Sequence, residues 1–246
     1  MMLTPGTYVV TGAAGGIGGA VAAALADYDL DLVLADRDVT ALTAAAGLPG
    51  RTARVRAVEL DVTNSAAVAT LAGSLADGSP VRGLVNAAGV LQLGTIGEVS
   101  DADWDRVIGV NLRGTFLLCR ELMPLLERSG RSAVVNIASV SGRTKSIYSS
   151  PSYVASKGGI IGLTMTLAAQ HAARGVRVNA VAPGIIDTPM LDVYTGEQRQ
   201  QACAGIPLGR MGSAAEVADV IVYLLSEQSS YVLGQTINVN GGLFMQ

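Results

Sequence analysis

Lys157 stands four residues after Tyr153, in a chain with one other lysine, Lys145, against fifteen arginines. A chain that uses Arg for nearly every other cation keeps a compact ammonium here. The two cations differ in kind, Lys being a point charge on a flexible stem and Arg a planar fork. On a helix, residues four apart share a face, which sets Lys157 beside the Tyr153 ring. A free phenol has a pKa near ~10 and is protonated at neutral pH. A unit positive charge ~4 Å away, at an effective dielectric of ~20, is worth roughly 4 kcal/mol, or about three pKa units. Burial of the phenolate opposes that shift. The expected balance brings Tyr153 toward neutrality, where an acid–base catalyst works best. The plain alternative is a solvated helix face, and the rest of the chain has to decide. Ser139, fourteen residues before Tyr153, is placed to donate to a carbonyl oxygen as negative charge develops on it.

These residues need a scaffold, and the chain supplies an alternating series. Short β-type runs fall at 8–11, 30–35, 55–60, 81–86, 134–138, 176–181 and 236–239. Helical segments at 18–26, 39–46, 65–76, 103–128, 152–173 and 214–225 separate most of them. Such alternation with short connections implies right-handed crossovers and a parallel sheet covered on both faces. The runs are nearly continuously apolar, as strands buried on both sides are. The expected fold is α/β, a single-domain doubly wound parallel sheet of Rossmann-like type over residues 1–246, with no repeat or linker.

Open sheets of this kind bind ligands at the carboxyl ends of their strands. The first run leads through Thr11-Gly12-Ala13-Ala14-Gly15-Gly16-Ile17-Gly18 into a helix. Glycines there permit a tight turn and close approach of a pyrophosphate to backbone N–H groups, and the helix N-terminus favours its charge. Asp36 ends the second run where a carboxylate would meet the adenosine ribose hydroxyls. Asp61-Val62 ends the third and can reach an adenine through side chain and backbone. Asn86-Ala87-Ala88-Gly89 ends the fourth, small enough for close approach by a coenzyme. Each of these is also readable as an ordinary polar or small strand terminator.

Composition narrows the partners. The 246 residues are half apolar and carry a net charge of −3, which argues against nucleic acid or an anionic membrane surface. Apolar stretches are too short and interrupted to span a bilayer, and only seven residues precede the first run, so a cytoplasmic enzyme with a small-molecule substrate is expected. His171 is the sole histidine, which excludes a histidine triad or multi-histidine metal site; it is placed on a helix flank. Cys119 reads as a core residue, and neither it nor Cys203 as catalytic.

Taken in order, the motifs resemble those of the short-chain dehydrogenase/reductase family over essentially the whole chain. The match runs through T-G-x-x-x-G-x-G at 11–18, N-A-A-G at 86–89, Asn111, Ser139, Tyr153-x-x-x-Lys157, Pro183-Gly184 and Thr188 to the Asn240-Gly241-Gly242 close. The resemblance implies that Tyr153 is the acid–base catalyst and that Ser139 polarises the carbonyl. It implies that Lys157 lowers the Tyr153 pKa and holds the nicotinamide ribose, and that Asn111 anchors a water for proton relay. Pro183, Gly184, Ile186 and Thr188 would lie along the nicotinamide and its phosphate. The Ser139–Tyr153 interval is one residue longer than in many members, adding a residue on the substrate side. Tyr148 in that loop lacks a lysine four residues on and is rejected as the catalyst. Arg143 and Lys145 there are either solvated cations or groups that meet an anionic substrate.

The implied reaction is hydride transfer between a secondary alcohol or ketone and NAD(H). The tail from Gly205 resembles that of 3-oxoacyl-carrier-protein reductases, which keeps NADP(H)-dependent acyl reduction as an alternative. The stretch 85–94 instead resembles dihydrodiol dehydrogenases. A non-catalytic NAD-binding regulator is a further alternative, disfavoured because Asn111, Ser139, Tyr153 and Lys157 are all present; a nucleotide-sugar epimerase would carry a larger C-terminal domain. Asp36 would repel the 2′-phosphate of NADP, and Gly15 stands where many NADP-using relatives have Arg or Lys, so NAD is expected. Arg37 pulls the other way, since its guanidinium can hold a 2′-phosphate. The expected substrate lining is Leu91, Leu93, Ile147, Tyr148, Met190 and Tyr194. Apolar faces on the two long helices, with Phe116, Leu117, Leu118, Ile160, Ile161, Leu163 and Leu167, and the tail Leu243-Phe244-Met245, imply self-association, and the resemblance implies a homotetramer.

Overall fold

Parallel strands need covering on both faces, and the two sides of each strand show how that is done. A computed structural model of the chain describes residues 1–46, 52–146 and 148–246. Among these, β1 (Thr7–Thr11), β2 (Asp31–Asp36), β3 (Arg54–Glu59), β4 (Val81–Asn86), β5 (Ser132–Ile137), β6 (Val176–Pro183) and β9 (Thr236–Val239) form one sheet of order β3-β2-β1-β4-β5-β6-β9. All pairs are parallel. Within β1, Tyr8 and Val10 pack with α1 (Gly16–Leu25) and α8 (Ala214–Leu225), while Val9 between them faces α3 (Ser65–Gly73) and α5 (Gly114–Ser129). This alternation gives two apolar layers, one on each side of a fully buried strand. The expected α/β, doubly wound, Rossmann-like fold is the one observed.

The chain reverses its strand order between β1 and β4, and the crevice beyond their carboxyl ends is the natural ligand site of such a sheet. Thr11 stitches that edge together: its hydroxyl oxygen accepts the N–H groups of Ala87 (3.2 Å) and Ala88 (3.3 Å). The remaining helices are α2 (Val39–Ala46), α4 (Asp101–Ile108), α6 (Pro151–His171) and α7 (Gly196–Ala204). Two short strands, β7 (Ile186–Asp187) and β8 (Gly212–Ser213), pair outside the main sheet.

Three features depart from the sequence expectation. The helix expected at 103–128 is α4 and α5 joined by a π-helical turn, Gly109–Arg113, that holds Asn111. A π-turn widens the ring of backbone bonds by one residue and is found mostly at functional places in helices. The second feature is α7, a short helix with no apolar stripe (GEQRQQACA), so no periodic signal announced it. The third is the β7–β8 ribbon, two residues a side, too short to leave a pattern. The expected His171 flank position is observed: its Nδ1 lies 2.6 Å from Glu127 Oε1 near the end of α6.

Candidate active site

The turn from β1 into α1 brings backbone, not side chains, to the crevice. Gly12 has φ +66°, and a Cβ there would lie 2.7 Å from the Ala88 nitrogen. A Cβ on Gly18 would lie 2.1 Å from the Gly12 carbonyl oxygen, so α1 can start this close only on glycine. Around Gly15 there is no atom within 4 Å of a Cβ. This is a cradle with open space where a phosphate-bearing coenzyme would lie, and its donor chemistry fits one. Asp36 closes the turn, its Oδ2 accepting the Ala14 N–H (3.1 Å) and its Oδ1 the Asp38 N–H (3.2 Å). The carboxylate is therefore held in place at the end of β2. Arg37 beside it is exposed. The Asp61 carboxyl is held below its usual value, first by the Thr63 N–H and hydroxyl and last by the Arg37 charge.

A cleft of about 580 Å³ runs from this turn to the catalytic candidates. Gly12, Gly15, Gly16, Ile17, Gly18, Asp36, Arg37, Asp61, Val62, Ala87, Ala88 and Gly89 line it, together with Ser139, Tyr153, Lys157, Pro183, Gly184, Ile186 and Thr188. Three expected site residues stand behind the wall. Ala14 turns its N–H to Asp36. Asn86 points into the sheet, donating to Asn136 Oδ1 at 2.8 Å. Asn111 is fully buried, its Nδ2 donating to Val90 O (3.0 Å) and Ser156 Oγ (3.1 Å) while its Oδ1 accepts Val90 N–H (2.8 Å). Built on Gly89, a Cβ would lie 3.3 Å from Asn111 Oδ1 and 3.7 Å from Lys157 Nζ, so these groups converge on one point.

Tyr153 and Lys157 share a face of α6, whose start is fixed by Pro151 and by the Ser150 hydroxyl oxygen accepting the Tyr153 N–H (3.2 Å). Lys157 Nζ is 5.7 Å from the Tyr153 ring centroid. Its ammonium donates to the Ile137 carbonyl at 2.7 Å, a contact with no sequence signal because it is made by backbone. Burial decides the protonation of both groups. It pushes the Tyr153 phenol up to about 12 despite the opposing hydrogen bond from Ser139, and it pulls Lys157 down to about 8. The expectation that Lys157 would bring Tyr153 near neutrality is not met in this cleft. The ammonium faces the Ile137 carbonyl, and desolvation of the phenolate is the largest influence on Tyr153. Ser139 caps the short turn Val140–Gly142, its oxygen accepting the Ser141 N–H (3.1 Å), which leaves its own O–H to donate.

On the substrate side Leu91, Met190 and Tyr194 line the cleft as expected, and Ile147 lies outside the described residues. Leu93 and Tyr148 do not line it. Leu93 bridges to Ser149, and the Tyr148 hydroxyl donates to Gln201 Oε1 (2.9 Å) on α7. Arg143, half-buried, donates to Thr236 O (2.9 Å) and Asn238 Oδ1 (3.0 Å) and lies over the Phe244 ring, and it does not line the cleft. Lys145 is exposed. Sequence reading missed Ser149, a lining hydroxyl with no motif around it. Cys119 is buried, its thiol pushed up to about 12 by burial, as befits a core residue.

Glycine cradle, strand-end carboxylate and buried Ser–Tyr–Lys cluster along one crevice define a nicotinamide-dependent oxidoreductase of the doubly wound class. A short-chain dehydrogenase model, described as enoyl-(acyl carrier protein) reductase, matches residues 12–244. A 3-oxoacyl-(acyl-carrier-protein) reductase of Thermotoga maritima is 38% identical over 243 residues, covering 96% of each chain. A (3R)-3-hydroxyacyl-CoA dehydrogenase of Mus musculus is 37% identical over 252 residues, covering 96% of this chain and 95% of its own. Among solved structures, a 3-oxoacyl-(acyl-carrier-protein) reductase from Brucella melitensis superposes with a TM-score of 0.89 at 35% identity, over 98% of this chain and 91% of that one. The chain belongs to the short-chain dehydrogenase/reductase family, and it is an oxidoreductase of the alcohol–ketone kind.

Proposed function

We propose that the protein interconverts a secondary alcohol and a ketone with NAD(H), using Tyr153 as the acid–base group. The observation that carries this is the convergence of Ser139, Tyr153 and Lys157 on the same cleft as the glycine turn and Asp36. When bound, the nicotinamide supplies or accepts the hydride. The protein's own part is the proton and the geometry. Ser139 donates its O–H to the substrate oxygen, and Tyr153 gives that oxygen its proton in reduction or takes it in oxidation. Lys157 adds a fixed cation beside the phenol and donors for the nicotinamide ribose. Asn111 is a positioning residue: with both Nδ2 hydrogens committed, it fixes the Val90 segment and leaves an oxygen lone pair toward Lys157. Gly12, Ala14 through its neighbours, Gly15, Gly16, Ile17 and Gly18 hold the pyrophosphate. Asp61 and Val62 take the adenine, Ala87, Ala88 and Gly89 make room for the coenzyme behind Asn86, and Pro183, Gly184, Ile186 and Thr188 take the nicotinamide end. Residues 1–246 act as one dinucleotide-binding and catalytic unit, self-associated as a homotetramer.

NAD rather than NADP is favoured by Asp36. Its carboxylate cannot turn aside without giving up two backbone N–H bonds, and a 2′-phosphate would meet it directly. One opposed charge contact of this sort is worth roughly 1–3 kcal/mol, or about ten- to a hundredfold. The test is kcat/KM with both coenzymes for the wild type and Asp36→Ala. The wild type is expected to prefer NAD(H) by that order and the variant to lose most of the preference; better kinetics with NADP(H) overturn the assignment. A second reading is NADP(H)-dependent reduction of a 3-oxoacyl thioester, whose acyl part is supported by the likeness to the Thermotoga 3-oxoacyl-(acyl-carrier-protein) reductase. The same measurement separates the two.

A further inference from the structure

Of the two cations between Ser139 and Tyr153, Lys145 is exposed, whereas Arg143 is half-buried and held by neutral groups. One nitrogen, Nη1, donates to both Thr236 O (2.9 Å) and Asn238 Oδ1 (3.0 Å) on β9. The guanidinium carbon lies 5.4 Å from the centroid of the Phe244 ring in the tail. Gln235 and Val239 give their carbonyls to Ala180 N (2.8 Å) and Gly184 N (2.9 Å) of the neighbouring chain segment. By the two-residue period of a strand, the Thr236 carbonyl is then left for another donor, and Arg143 is that donor. A cation held by a carbonyl, an amide oxygen and a ring fixes geometry more than it neutralises charge.

What Arg143 fastens is the turn that begins at Ser139. Gly142 N–H bonds Ser139 O (3.0 Å), Arg143 N–H bonds Val140 O (2.9 Å) and Thr144 N–H bonds Val140 O (3.1 Å), so Ser139 and Arg143 are the two ends of one wound unit. Ser139, Val140 and Ser141 line the cleft. The turn also abuts α6: a Cβ on Gly142 would lie 2.6 Å from the Lys157 carbonyl carbon. That contact sets the turn against the helix of Tyr153 and Lys157, and Arg143 ties it a second time, to β9 and the tail. The tail is seated on the Pro183–Gly184 part of the cleft wall. Asn240 Nδ2 donates to Phe244 O (2.9 Å), and a Cβ on Gly184 would lie 2.8 Å from Asn240 Cα.

We propose that Arg143 is a positioning residue that fixes the Ser139 hydroxyl relative to the Pro183–Gly184 wall, and so the substrate oxygen relative to the hydride carrier. This rests on the role given to Ser139 in the alcohol–ketone reading above. A donor aimed at a developing oxyanion is effective because it is placed before the reaction starts. A misplacement of about 1 Å costs up to about 10²-fold in rate. Arg143 lies outside the cleft, so its loss acts on turnover and leaves coenzyme binding as it was.

The experiment is a double-mutant cycle in kcat on the full-length enzyme with saturating NADH or NADPH. The ketone is the best reduced of cyclohexanone, 2-pentanone and the acetoacetyl thioester of N-acetylcysteamine. Arg143→Met keeps the stem and removes the donors; kcat is expected to fall by about tenfold with coenzyme KM unchanged. Ser139→Ala is expected to lower kcat by about 10²-fold. Adding Arg143→Met to Ser139→Ala is expected to have no further effect, since no hydroxyl is left to misplace. Asn238→Ala removes one acceptor without touching the turn. It is expected to repeat the pattern with a smaller loss, and it decides the matter if Arg143→Met does not fold. Equal falls with and without the Ser139 hydroxyl, or wild-type kcat in the folded variant, overturn the proposal and leave the alcohol–ketone reading intact. Wild-type kcat in Ser139→Ala, or a wild type that reduces none of the three ketones with either coenzyme, overturns that reading and this inference with it.

Discussion

Tyr153 and Lys157 illustrate how far a pair of residues can be read before the structure is known. Their spacing gave adjacency on α6, and the 5.7 Å contact agrees. It could not give burial, which reverses the sign of the expected phenol shift. The consequence is a pH dependence that differs between directions. Reduction needs a protonated phenol and a charged Lys157; with Tyr153 raised to about 12 and Lys157 lowered to about 8, both conditions hold on the acid side of pH 8. As pH rises through 8 the ammonium is lost first, so kcat/KM for ketone reduction should be level below that point and fall above it. Oxidation needs the phenolate, whose fraction grows with pH throughout this range, so its kcat/KM should climb through neutrality. A reductive profile that stays level well beyond pH 8 would show that Lys157 is not the group that titrates. Tyr153→Phe keeps the ring and removes the proton. Turnover is expected to fall by about 10²-fold or more, with coenzyme binding retained in a fluorescence titration; wild-type turnover in this variant would falsify the assignment.

The β1–α1 turn and the α4–α5 junction are the elements that position the site, and they were unequally legible. Glycine spacing marked the turn because the chain must bend and α1 must start against it. The junction gave no such mark: Asn111 sits in an unbroken helical pattern, and a π-turn adds one residue to a backbone ring without altering which residue types are apolar. The identity of Asn111 came from family resemblance, and its role in holding Val90 only from the contacts. Lys157's carbonyl partner was likewise invisible, since every residue has a carbonyl. The glycine turn yields a prediction at its own scale. Gly18→Ala forces a Cβ to 2.1 Å from the Gly12 oxygen, whereas Gly15→Ala meets open space. Gly18→Ala is expected to cost roughly 1–3 kcal/mol from overpacking against backbone. That is a fall of several degrees in Tm, with coenzyme affinity falling as the turn shifts. Gly15→Ala should leave Tm unchanged. Equal Tm values for the two variants would mean that the turn relaxes without loss and is not a fixed cradle.

At the scale of the whole molecule, the sheet was legible because its central strands, β1, β4, β5 and β6, are buried on both sides and so read as apolar runs, while its surface was not. Among the described residues, no helix is long and apolar enough to cross a membrane. The residues expected on an outer face separate on inspection. Leu117, Leu118 and Ile160 are buried within the chain, whereas Phe116 on α5 is 44% exposed; Met165 on α6, which the sequence reading did not name, is 54% exposed. Arg120 covers part of the Phe116 ring, 5.5 Å from its centroid. Removing such side chains from water is worth about 25 cal/mol per Å² of apolar surface, and the simplest cover is the same face of a second copy about a twofold axis. The exposed tail residue Met245 offers a separate apolar surface, which is what a tetramer built from two kinds of twofold contact requires. Light scattering at micromolar concentration is expected to give the mass of four chains, and Phe116→Glu to reduce it to two by placing a charge in one contact and leaving the other. A monomeric mass for the wild type would mean that these helices stay bare in solution.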